Sequence, residues 1–180
     1  IRREADCSGL NLSGADLSDI DLTDVALPDR LSGVALRRTN LTGTDFSEAN
    51  LSGADLSDAN LTNVSLPNDL DNTTLSKTNL SGTNLEDAKI SNANLRHADL
   101  SGAELSGAKL VDTRIAHADL SGAQLDNANL SNSILREANL AQTDLSGADL
   151  SNTILSHADL ADADLSNATL SCARLPDADL

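Results

Sequence analysis

The sequence predicts an all-β solenoid, a chain that turns a corner every five residues and stacks its turns along one axis. Three observations carry this. Leucine recurs with a period of five over most of the chain. The hydrophobic content is 39%, nearly all Leu and Ala, and the only aromatic residue is Phe46. Between the leucines stand Asp, Asn, Ser and Gly, residues that turn a chain. An ordinary globular core leans on aromatics, and a disordered chain is far less apolar. Ordered structure built on one monotonous core residue therefore points to a repeat.

From Leu75 to Leu180 every fifth residue is Leu, with Ile at Ile90 and Ile115. Two residues earlier stands Ala, Thr or Ser, and Asp or Asn often comes just before. Ala98-Asp99-Leu100-Ser101-Gly102 is a clean unit, and Ala118-Asp119-Leu120-Ser121-Gly122 is another. Upstream the pattern continues in shifted phase, from Cys7 to Leu27 and from Leu36 through Phe46 to Leu66. The junctions Leu27-Pro28-Asp29-Arg30-Leu31 and Leu66-Pro67-Asn68-Asp69-Leu70 step four residues instead of five, with Pro fixing φ. They are corner variants, with recognition bulges as the alternative. There are 36 centres from Cys7 to Leu180. A period of five fits neither a 3.6-residue helix nor a long strand, which would scatter the leucines or alternate their faces. A corner every five residues puts every leucine on the inside.

These units resemble the pentapeptide-repeat family, written A-(D/N)-L-(S/T)-x, over essentially the whole chain. The resemblance implies a right-handed quadrilateral β-helix with four pentapeptides per coil, hence nine coils. The central residue and the small residue two before it point inward. At about 4.8 Å per coil the rod is roughly 43 Å long. Residues 5–180 form one domain. Residues 1–4 are expected to cap its N-terminal end, because Arg2 falls where a central leucine belongs. At the other end the repeat runs into Leu180 with no polar cap, so either residues beyond 180 cap it or the last coil stacks on a partner chain, and a tendency to associate as a homodimer through the C-terminal coil is expected.

Formal net charge is −16, from 28 acidic and 12 basic residues. That charge repels nucleic acid and anionic membrane surfaces, so neither is an expected partner. No apolar run approaches the length of a membrane span. Cys7 and Cys172 lie near opposite ends and make neither a disulfide framework nor a zinc pattern. No cofactor is expected.

Four repeats per coil place residues about 20 apart in one outward column. His97, His117, Glu137 and His157 share such a column, continued by Asp58 and Lys77 on one side and Asp177 on the other. It is read as a mixed-charge exposed column, with a transition-metal site as the alternative. On the same face Ile134 and Ile154 stand where Asp or Asn is usual, flanked by Arg114 and Arg174, and form a candidate apolar contact. The neighbouring face carries Asp99, Asp119, Asp159 and Asp179 just before their leucines, with Asn139 between. This acidic stripe is a candidate interaction surface. It has a structural reading as well, because short polar side chains bond corner backbone. Outward Ser and Thr rows of the kind that suit ice binding are broken by Pro28, Arg37, Pro67, Arg96, Val111 and Arg136.

No phosphate loop, nucleophile elbow or Cys–His arrangement is present, so an enzyme is not expected. Two function classes remain. One is a binding scaffold for an unidentified protein partner. The resemblance there is to cyanobacterial members, which leaves cytoplasm, periplasm and thylakoid lumen as candidate compartments. The other, implied by the resemblance to quinolone-resistance pentapeptide proteins, is a DNA mimic that inhibits or protects type II topoisomerase, with DNA gyrase as partner.

Overall fold

The structure, a computed structural model, describes residues 6–23 and 25–180. The cap expected at residues 1–4 lies outside them. Backbone pairing consists of isolated parallel bridges, each joining one residue to its counterpart in the next coil. The step is 20 residues, as in Asp99↔Asp119 and Ile134↔Ile154, or 19 where a short junction intervenes, as in Asp16↔Ala35 and Asp55↔Thr74. Twenty residues hold four pentapeptides, so four columns of bridges run along the stack. We number these faces by chain order. Face 3 runs from Asp16 to Arg174; face 1 carries Asp45↔Ser65 and then Asn84 to Asp164, face 2 Arg30↔Asn50 and then Asp69 to Thr169, and face 4 Asp21 to Asn60 and then Asn79 to Asp179.

The ladder explains why five residues suffice for a side. Around each centre the chain is extended just long enough to pair up and down. Leu120 N–H donates to Asn139 O at 2.8 Å, and Asp119 N–H donates to Ala98 O at 3.0 Å. The corner follows at once. Ala123 N–H donates to Leu120 O at 2.9 Å, which closes a four-residue turn over Ser121 and Gly122. Its third residue, Gly122, has φ +65°, the left-handed conformation that glycine adopts at no steric cost.

The interior is a continuous column of leucines edged by small residues. Leu100, Leu120 and Leu140 are wholly buried, and so are Ala103, Ala123 and Ala148. Most buried hydroxyls at the small positions find carbonyls close by, Thr44 Oγ1 being an exception. Thr39 Oγ1 donates to Leu36 O at 2.6 Å and Thr153 Oγ1 to Leu150 O at 2.7 Å. Ser133 crosses between coils, accepting from Thr113 N–H at 3.0 Å and donating to Leu110 O. A polar group is tolerable here because it is bonded.

Both short junctions sit at the corner between faces 1 and 2, with one full-length corner, Phe46 to Ala49, between them. Neither closes a hydrogen-bonded turn; each makes a bend, at Asp29 and Asn68. Register survives because Asn50 N–H reaches Asp29 O at 2.7 Å and Lys89 N–H reaches Asn68 O at 2.8 Å. Phe46, 1% exposed, fills the coil between the two tightened corners. Towards the end of the stack burial falls away: Leu170 is 37% and Leu180 75% exposed. Among the described residues no helix is long and apolar enough to cross a membrane.

Candidate interaction surface

The corner residue two after each centre decides how the histidines should be read. All ten glycines of the chain occupy this position. At most other corners the residue there also adopts left-handed φ, as at His97 +59°, His117 +61°, Glu137 +56° and His157 +58°. Asn, Asp and His enter this region more readily than other side chains. The histidines therefore stand where the backbone tolerates few residue types, and chain geometry alone accounts for much of their placement. The register of the glycines carried this signal in the sequence, and periodicity of the leucines masked it.

The structure brings the predicted column together, as a ladder of pairs. Arg38 grips the Asp19 carboxylate with two hydrogen bonds, at 2.6 and 2.7 Å, from the coil above. That grip holds the Asp19 carboxyl below its ordinary range. The His97 and His117 rings stack with centroids 4.8 Å apart and planes within 6°. His117 Nδ1 lies 3.3 Å from Glu137 Oε2, and His157 Nδ1 lies 3.9 Å from Asp177 Oδ2. Stacked rings and pairwise contacts spread donors along a line, whereas a metal ion needs them to converge. Among the described residues no three His, Cys, Asp or Glu side chains are grouped to hold one.

Face 4 carries the acidic stripe as one bridge column, Asp99↔Asp119↔Asn139↔Asp159↔Asp179. Its carboxylates are engaged by the fold. Asp99 Oδ1 accepts from Ser101 N–H at 3.0 Å and Ser101 Oγ at 2.6 Å. Asp119 Oδ1 accepts from Ser121 N–H and from Asn139 Nδ2, each at 3.0 Å, and Asp159 Oδ1 from Ala161 N–H at 3.0 Å. One oxygen per residue caps the following corner, which is why Asp or Asn precedes so many leucines.

Face 3 departs from this rule. Its bridge column reads Arg114↔Ile134↔Ile154↔Arg174. Ile134 is 37% exposed and Ile154 half-buried. In the adjoining column Arg96 and Arg136 flank Ala116, which is only 6% exposed although it points outward. Arg96, Ala116, His117, Ile134, Arg136 and Ile154 line a shallow depression. Among the described residues none of the four arginine side chains has an ion pair or a hydrogen bond. In that column Ser156, 8% exposed, keeps its Oγ without a partner. The two cysteines are free, Cys7 buried and Cys172 exposed, on different faces.

The repeat pattern and the stacking agree with what is known of related chains. The pattern of pentapeptide repeats matches in eight copies, over residues 3–27, 30–66, 69–107, 78–115, 113–152 and 143–180. Its first two breaks fall at the two proline junctions. The chain belongs to the pentapeptide-repeat family. Among solved structures it is similar to HetL, a pentapeptide repeat protein involved in heterocyst differentiation regulation from the cyanobacterium Nostoc sp. strain PCC 7120. Identity is 32%, coverage is 100% of this chain and 89% of that one, and the TM-score is 0.53. It is also similar to Rfr23 of the cyanobacterium Cyanothece 51142, at 31% identity over 59% of this chain and 63% of that one, TM-score 0.37. A third likeness is to QnrB1, a plasmid-mediated fluoroquinolone resistance protein, at 16% identity over 96% and 88%, TM-score 0.43. No curated protein matches the chain.

Proposed function

We propose that this protein is a non-catalytic binding scaffold, a right-handed four-sided rod that presents side chains to a protein partner. The observation that carries this reading is the division of labour within each repeat. Inward positions are filled by Leu, Ala and buried hydroxyls. A filled interior offers no pocket of the kind enzymes use. Outward positions are held at regular spacing by the ladder, so whatever distinguishes this chain is displayed on its faces. The likeness to HetL, a protein involved in the regulation of differentiation, supports a regulatory binding role.

Face-resolved photo-crosslinking tests the reading. Gln124, Asn129, Ile134 and Asp119 stand on faces 1 to 4 of about one coil. A photoreactive side chain at each, in four separate variants, is expected to capture a partner predominantly from one face. Failure of every face to give a specific adduct in the native cell extract would remove the scaffold reading.

The gyrase reading comes from the resemblance to quinolone-resistance proteins and would use the acidic stripe as its contact, and two observations weaken it. Asn139 interrupts the stripe, and corner backbone occupies one oxygen of Asp99, Asp119 and Asp159.

A further inference from the structure

We propose that the Arg–Ile patch of face 3 docks an extended acidic protein segment carrying an aliphatic side chain between two carboxylates. The inference rests on the binding reading above and names the class of partner. Charge argues for it first. On a chain of net charge −16, this face gathers Arg96, Arg114, Arg136 and Arg174 against Glu137 and Asp177. The two carboxylates are turned to His117 and His157, which leaves the four guanidiniums unpaired among the described residues. Unpaired guanidiniums are fork-shaped donors suited to carboxylates.

Apolar surface argues second. Ile134 and Ile154 replace the Asp or Asn that elsewhere caps a corner, and with Ala116 they floor the depression between the arginines. Two isoleucines at a capping position give up a hydrogen bond on each corner. A phosphate backbone offers nothing aliphatic to bury there, so the floor favours a protein segment over a nucleic acid.

Spacing argues third. Arg114 and Arg174 are three coils apart in one column, about 14 Å at one strand spacing per coil. In an extended peptide residues i and i+4 point the same way and lie about 13 Å apart, with i+2 midway on the same side. A Glu-x-Leu-x-Glu segment laid along face 3 sets its carboxylates at the two arginines and its leucine over the Ile134–Ile154 pair. Arg96 and Arg136 then border it on one flank.

The test measures fluorescence anisotropy of a labelled Ser-Ser-Glu-Ser-Leu-Ser-Glu-Ser-Ser peptide with the full chain at low salt. Saturable binding is expected. Ile134→Asn with Ile154→Asp, and separately Arg114→Asn with Arg174→Asn, are each expected to weaken it about tenfold. Both pairs restore residues that the repeat uses elsewhere at this position, so far-UV circular dichroism is expected to be unchanged. Moving one Glu by a single residue turns its carboxylate away and is expected to weaken binding to the same degree. Absence of saturable peptide binding, or binding indifferent to both double variants, overturns the proposal. So does tighter binding of a single-stranded oligothymidylate lost in the same variants, which would make the patch a phosphate site. Self-association abolished by these variants would assign the patch to a second copy and overturns it as well. If the peptide fails while crosslinks form on another face, the patch falls and the scaffold reading stands.

Discussion

Replacing Leu120 by alanine probes the stacked core where it is most constrained. Leu120 is wholly buried, with Leu100 and Leu140 in the same column on the coils to either side. Three carbons leave, which costs about 2.4 kcal/mol at about 0.8 kcal/mol per methylene. A cavity term adds to this unless neighbours move in. Here they are held back, because Leu120 N–H and Asp119 N–H are locked to the coils on each side. The expected loss is therefore about 3–4 kcal/mol, in the middle of the range for Leu→Ala. Leu165 occupies the equivalent position nearer the end of the stack but is only half-buried. Leu165→Ala is expected to cost about 1–2 kcal/mol, and it weakens the contacts of a coil near the end. Urea unfolding followed by far-UV circular dichroism is the assay, since the chain has no Trp or Tyr to report by fluorescence. Equal losses for the two variants, or a loss below about 1 kcal/mol for Leu120→Ala, would refute the continuous-core argument.

Further expectations follow from the corners and the charges. Gly122→Ala places a Cβ in open space at φ +65°, so only backbone strain acts, and urea unfolding is expected to show a loss of about 1 kcal/mol; no loss would mean that the corner does not need left-handed φ. Hydrogen bonds from Arg38 to Asp19, and from Ser8 to Asp6, hold those carboxyls below their ordinary range. Their contribution to stability is present above the ordinary carboxylate pKa, near 4, and is lost as pH falls through the lower folded values. Thermal melting is expected to be level from pH 7 to about pH 5 and to drop below about pH 4; a midpoint that rises on acidification would contradict this. Zinc titrated into the protein is expected to give no saturable heat, and a one-to-one isotherm abolished by His117→Asn would reverse the reading of the histidine column. In a gyrase supercoiling assay the protein is expected to leave activity and quinolone response unchanged; inhibition relieved by charge reversal at Asp99 and Asp119 would restore the DNA-mimic reading.

Much of this fold was legible because a five-residue period leaves few ways to bury every leucine. The column logic held down to particular pairs: Ile134 bridges Ile154, and His117 meets both His97 and Glu137. The corner conformation was not read, although all ten glycines marked it, because attention to the leucine register hides what the second residue after each centre must do. The acidic stripe was read both as charge and as corner-bonding side chains, and Ser101, Ser121 and Ala161 amides do take one oxygen each. Which oxygen a carboxylate spends on its own corner depends on side-chain geometry that spacing cannot supply. The burial of Ala116 between Arg96 and Arg136 escaped for the same reason, since long neighbours shade a small residue that points outward.

All of these columns depend on the 20-residue coil that brings their residues together. Electron spin resonance distances test it most directly, with Cys7 and Cys172 replaced by serine and label pairs placed in one outward column. Ser81 and Ala161 are four coils apart, and Thr42 and Ala161 six. At about 4.8 Å per coil the expected separations are about 19 and 29 Å, each with a narrow distribution. Distances that rise in proportion to coil number confirm the stack. Broad distributions, or a Thr42 pair no farther apart than the Ser81 pair, would contradict it.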